Sequence, residues 1–204
     1  MRPTPKTAAF GLAVAVLMAP AAQAQMTKAP AEVKAGAYKL DASHSKVTWA
    51  VTHFGFSSYV GQFPDVIGTL KLDPKDLSVV DLQVTIDTTK IGTLNATLDK
   101  NLKAPGFLDT VKFPTASFKA TKVTRTGDMT ADILGNLTLK DVTKPVTLKA
   151  VFNQAGPNPL DKVYSLGFAA TTTIKRSEFG VSAYVPAIGD NVTLTIDVEF
   201  KAVP

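Results

Sequence analysis

Both histidines of the chain, His44 and His53, and its only tryptophan, Trp49, fall within SHSKVTWAVTH at residues 43–53. Imidazole and indole rings gathered this closely suggest three chemistries: a metal site, an acid–base pair, or the wall of a ligand site. Spacing argues against metal. The histidines are nine positions apart, an odd number, so on a regular strand they point to opposite faces, and no cysteine or clustered carboxylate completes a ligand set. Ser43 and Ser45 flank His44 with Asp41 nearby, but adjacency along the chain does not build a catalytic triad, and no Gly-x-Ser-x-Gly elbow is present. The expectation is a protein with no catalytic residue, metal or cofactor.

On a structural reading, Asp41, His44 and Ser45 satisfy backbone groups where a strand begins. His53, followed by Phe54-Gly55-Phe56, reads either as a hydrogen-bonded histidine at a strand bend or as a contact for a polar headgroup. Trp49 shares its parity with Val47 and Val51 and so points inward, as core or as ligand wall, with an indole N–H that needs a partner. In IKRSEFG at 174–180, Lys175 and Arg176 could receive a phosphate or a carbonyl, because arginine presents a planar fork of donors. The alternative is an ion pair with Glu178 or simple solvation. Phe179 and Gly180 read as a plug residue and a turn.

The elements that position these residues are strands. In NVTLTIDVEFKA at 191–202, Val192, Leu194, Ile196, Val198 and Phe200 share one face, while Thr193, Thr195, Asp197, Glu199 and Lys201 share the other. The same alternation predicts eight strands, near 45–54, 61–72, 79–87, 113–124, 128–139, 144–155, 162–175 and 191–202. Turn signals such as DPKD at 73–76 and GPNPLD at 156–161 separate them. Only 92–107 has helical composition, with Leu94, Leu98 and Leu102 at four-residue spacing and Pro105-Gly106 as a stop. Long strands joined by short hairpins predict an antiparallel sheet, and eight of them can close into a barrel that is packed or holds one small ligand. A two-sheet sandwich is the rival fold. An outer-membrane barrel would need an apolar outer face with aromatic girdles, whereas these outer faces carry Thr, Lys, Asp and Glu.

The chain opens with Arg2 and Lys6, an apolar run from Ala8 to Ala19, and Ala22-Gln23-Ala24, the layout of a secretory signal peptide over 1–24 cleaved after Ala24. Residues 25–37 lack any period and read as a flexible leader, leaving 38–204 as one domain. The absence of cysteine means that burial and backbone pairing stabilise the exported chain, not cross-links. Of the formal charge of +5, Arg2 and Lys6 leave with the signal, and what remains is scattered among acids, which excludes a nucleic-acid-binding stripe.

Particular residues then point to a family. YKLDASHSKVTWAVTHFGFSSYVGQF (38–63), LGNLTLKDVTKPVTL (134–148), IKRSEFGV (174–181) and GDNVTLTIDVEF (189–200) together resemble the YceI-like periplasmic proteins. Asp41, His44, Ser45, His53, Gly55, Gly61, Phe63, Gly135, Thr143, Pro145, Arg176, Phe179 and Gly180 stand at expected places. Asp141 departs, since a small turn residue such as glycine is expected there. The resemblance implies an all-β fold, an extended eight-stranded antiparallel lipocalin-like barrel with a short helix between strands 3 and 4. It also implies a periplasmic carrier of an isoprenoid lipid, either an isoprenoid quinone or a polyprenyl phosphate, in an apolar tunnel. The candidate tail contacts are Val47, Trp49, Val51, Phe63, Val84, Leu137, Leu148, Phe168 and Ile196, and the candidate headgroup contacts are His53 and Arg176. Expected partners are the lipid, with room for a homodimer and for transient contact with an inner-membrane protein or membrane surface. An enzyme acting on a hydrophobic substrate near His53 and Arg176, or a filled-barrel interaction protein, are the other function classes.

Overall fold

A computed structural model describes residues 26–204. The proposed signal peptide and its cleavage site lie outside the described residues. Among the described residues the strands are β1 (Gly36–Leu40), β2 (Lys46–His53), β3 (Ser57–Phe63), β4 (Val66–Leu72), β5 (Asp81–Asp87), β6 (Thr115–Arg125), β7 (Thr130–Leu139), β8 (Val142–Pro157), β9 (Tyr164–Lys175) and β10 (Ile188–Ala202), with one α-helix, α1 (Ala96–Lys103). All pairings are antiparallel, and the order β1-β4-β5-β6-β7-β8-β9-β10 closes on itself because β1 also pairs with β10. Eight strands therefore form the ring. The hairpin β2–β3 continues it upward along β10, with Val47 opposite Ile196 and Trp49 opposite Leu194.

Two expected strand boundaries differ, for local reasons. A strand at Gly36–Leu40, β1, precedes the one read from 45. Between them the Asp41 carboxylate accepts from the Ser43 N–H at 3.1 Å and its hydroxyl at 2.6 Å, turning 42–44 into a 3-10 turn. Ser45 bridges the break, its hydroxyl accepting from Glu199 N–H at 3.1 Å. The run read as one strand over 61–72 is likewise split at Pro64-Asp65 into β3 and β4. The helical segment is shorter than 92–107: Asn95 caps α1 by accepting from Leu98 N–H at 3.1 Å.

The segment read as a flexible leader is packed at the barrel's lower end as far as it is described. Thr27 exchanges backbone bonds of 2.7 and 2.9 Å with Ala155, and Val33 is buried beside Tyr38 and Leu166. Inside, two aromatic rings lie on glycines: a Cβ at Gly61 would stand 2.3 Å from the Trp49 ring, and one at Gly135 would stand 2.3 Å from the Phe118 ring.

At the β7–β8 turn, Lys140 and Asp141 hold φ of 50° and 59°, the left-handed pair that such two-residue hairpins require. Asp141→Gly is expected to raise stability by about 0.5–1 kcal/mol, read as a higher urea midpoint with an unchanged slope. An unchanged or lower midpoint would show that the Asp141 side chain stabilises the turn.

Candidate functional site: a blind apolar channel

Alternation along the ring strands turns one set of side chains inward, and these do not fill the interior. A cavity of about 210 Å³ remains, lined by Val47, Leu70, Leu82, Val84, Ile86, Phe118, Leu137, Leu148, Phe152, Phe168, Leu194 and Ile196 among others. On β6 the lining runs from Phe118 to Arg125, roughly 20 Å of strand. So small a volume over that length is a slender channel, suited to one linear chain. Ala150 and Ala170, opposite each other in register on β8 and β9, both line it and keep its waist open.

The channel opens at the lower end. Pro30, Val33, Pro74, Leu77, Gly127, Asp128 and Met129, from the leader and the β4–β5 and β6–β7 connections, form its mouth. No described residue of the 54–56, 88–114, 140–141 or 176–187 connections lines it. The upper end is closed by two apolar clusters. In one, Phe179, 1% exposed, packs on Phe118 and Leu137; in the other, Trp49 packs with Ile91, Leu108 and Val181. The polar side chains of the wall are Arg125, Asp128 and Thr130 at the mouth and Thr172 farther in.

Of the nine candidate tail contacts, Val47, Val84, Leu137, Leu148, Phe168 and Ile196 line the channel. Phe63, Trp49 and Val51 belong to the packing above it. Trp49 is stacked against Tyr59 at a ring separation of 6.5 Å, and its buried Nε1 has no hydrogen-bond partner among the described residues. It shares only Leu194 with the channel wall. Trp49→Leu is therefore expected to cost about 2 kcal/mol of stability in a denaturant titration and to change ligand affinity less than threefold. A large affinity loss at unchanged stability would return Trp49 to the wall.

The two candidate headgroup contacts need correction. Arg176 is 7% exposed, at the closed end, with four of its N–H groups spent on backbone. Nε donates to Gly189 O at 2.9 Å, one terminal nitrogen to Val181 O at 2.8 Å, and the other to Ala183 O and Ile188 O at 2.9 and 3.0 Å. Burial lowers its pKa, with Asp190 opposing. The Glu178 alternative does not hold either, since Glu178 lies 4.0 Å from Lys144. Arg176 ties the 176–187 connection into a cap and is not free to receive a ligand. His53, also at the closed end, is exposed, with its ring edge-on to Phe54 and away from the channel. Sequence reasoning missed Arg125, which lines the mouth and makes no side-chain hydrogen bond or ion pair among the described residues.

His44 and His53 are far apart, though not through strand parity, because His44 belongs to the 3-10 turn before β2. Its Nδ1 lies 3.1 Å from Ser43 Oγ and 3.0 Å from Asp41 Oδ2. One nitrogen facing both partners cannot relay a proton between them as a triad does. The Ser43 hydroxyl, then Lys201 at 2.9 Å and His44, hold the Asp41 carboxyl well below the usual carboxylate range. With a depressed pKa, the contribution of Asp41 is complete above the ordinary aspartate range and fades as pH falls through the folded value, whereas His44, raised by Asp41, loses its share as pH rises. Among the described residues no group of three His, Cys, Asp or Glu side chains converges, and no helix is long and apolar enough to cross a membrane.

Comparison with known proteins agrees with this architecture. The model of the YceI-like domain matches residues 38–200. A UPF0312 protein of Pseudomonas aeruginosa (strain LESB58) is 38% identical over 170 residues, 82% of this chain and 88% of its own length. One of Pseudomonas putida (strain F1) is 37% identical over the same span. Among solved structures, the Campylobacter jejuni YceI protein superposes with a TM-score of 0.67 at 27% identity, covering 75% of this chain and 90% of its own. Burkholderia cenocepacia BcnA gives 0.71 at 21% identity, covering 78% and 98%. A polyisoprenoid-binding domain from Saccharophagus degradans, implicated in plant cell wall breakdown, gives 0.63 at 14%, covering 83% and 100%. With a family match across the whole barrel and relatives above one-third identity, the chain belongs to the YceI-like family.

Proposed function

We propose that this protein binds and carries a long-chain isoprenoid lipid in the periplasm, with the tail in the channel and the headgroup at the mouth beside Arg125. The observation that carries this reading is the wall: a narrow blind channel, apolar along its length, with its charged side chains, Arg125 and Asp128, confined to the opening. Such a wall offers contact area without a polar toll. Each methylene moved out of water contributes about 0.8 kcal/mol. A handful of them offsets the costs of association and reaches micromolar affinity or better. The polyisoprenoid-binding Saccharophagus domain shares the fold and supports the choice of ligand class. The amino-terminal Arg2, Lys6 and apolar run support export. A filled barrel would leave no channel, and the polar groups at the closed end are consumed in holding the cap, which favours a binding protein over an enzyme. Loading from an inner-membrane protein or the membrane surface fits a mouth that stands open at one end.

The test is a tail-length series. Delipidated protein titrated with isoprenoid quinones of decreasing tail length, followed by calorimetry, is expected to lose up to about fourfold in affinity per methylene removed. Arg125→Ala is expected to weaken every member of the series by the same small factor. Affinity independent of tail length would refute the channel as the tail site.

A further inference from the structure

We propose that two copies of this chain pair through the open edge of β3, forming an isologous dimer whose sheet is continuous across a two-fold axis near Tyr59. β3 ends the sheet: β2 lies on one side, and the other edge carries a single bridge, Gln62 to Gly92. Gln62 exchanges both backbone bonds with Gly92, at 2.9 and 3.0 Å, so its N–H and C=O face away from β2. The two-residue period of an antiparallel strand puts the N–H and C=O of Ser58 and Val60 on that same edge. Among the described residues nothing pairs with them.

Exposed edges are normally blunted by charge, proline or a bulge. β3 is SSYVGQF, without a charged residue or a proline, and it pairs with β2 in unbroken register. Large apolar side chains surround it: Phe56 is 91% exposed, Val60 52%, and Leu94 wholly exposed. Phe54 and Leu94 hold this position at φ of 51° and 62°, a conformation costly for such side chains.

A second copy is the occupant that fits. Rotated about Tyr59, the edge is its own complement: Ser58 of one copy stands opposite Val60 of the other, each pair exchanging backbone bonds, and pairing stops where Gln62 is already engaged. No charge on the edge selects a different partner. The channel mouth also lies at the opposite end of the barrel, so a dimer joined here keeps both mouths free. A bilayer against this end would face the closed cap instead.

The test is the mass of the signal-free protein by light scattering across a dilution series, with amide hydrogen exchange on the same samples. The expected result is a twofold mass at high concentration, with Ser58 and Val60 amides slowed there and fast on dilution. Val60→Pro and Ser58→Pro each remove an outward N–H that serves no bond within the chain. Each is expected to give a monomer with unchanged circular dichroism and lipid affinity. A monomer at every concentration, or a dimer whose Ser58 and Val60 amides exchange fast, would overturn the proposal. So would a monomer that sediments with anionic phospholipid vesicles through Phe56, which would assign this end to the membrane.

Discussion

Replacing Arg176 with methionine is expected to lower the stability of the fold by about 3–5 kcal/mol, the range for breaking a buried charged network. The cause is not a lost ligand contact. Methionine matches the aliphatic stem but leaves the carbonyls of Val181, Ala183, Ile188 and Gly189 without the donors that now hold them. Those carbonyls fix the cap over the closed end, and Phe179, the plug residue, follows Arg176 by three positions. Arg176→Lys is expected to recover little, since a single ammonium cannot reach carbonyls placed around a planar fork. Thermal melts followed by circular dichroism should fall by about 10 °C for both variants. A melt within about 2 °C of the parent would show that the cap does not depend on the guanidinium.

The second large effect is on binding. Ala150 and Ala170 form the waist of the channel, and a bulky ring at either position would fill space the tail needs. Ala170→Trp is expected to weaken a long-tailed isoprenoid quinone by about a thousandfold, the loss of roughly five buried methylenes. The variant should stay folded, with a stability loss of no more than about 1–3 kcal/mol, typical of added bulk in a core, because most of the ring projects into the channel. Ala150→Trp, reaching the same waist from β8, should behave alike. If both variants bind as tightly as the parent while remaining folded, the tail lies elsewhere.

How much of this could be read from the chain follows from which interactions are local. The strand periods are local, and so the ring, its antiparallel pairing and the inward parity of Val47, Val84, Leu137 and Ile196 were legible. The breaks at 41–45 and 64–65 were carried by short-range signals, the Asp41 turn and Pro64, that a period count passes over. Arg176 was misread because its partners are backbone carbonyls of a segment that folds back over it, and no residue type or spacing announces that. Trp49 was given the right direction but an open role. Parity says inward, and only the depth at which the channel ends separates wall from packing. The mouth was the largest omission, yet its signal existed. The connections at 88–114 and 176–187 are the long ones, and both fall at one end of the barrel. Long connections have enough chain to cover an end, and the shorter ones at the other end leave it open beside Arg125.

That the channel holds an isoprenoid chain is tested most directly by native mass spectrometry with organic extraction of protein purified gently from the organism that makes it. The parent is expected to carry one long-chain isoprenoid lipid per chain, released by solvent, while Ala170→Trp purified in parallel carries none. A parent that is bare polypeptide and fails to bind added polyisoprenoid, or an Ala170→Trp variant that retains the lipid as fully as the parent, would contradict it.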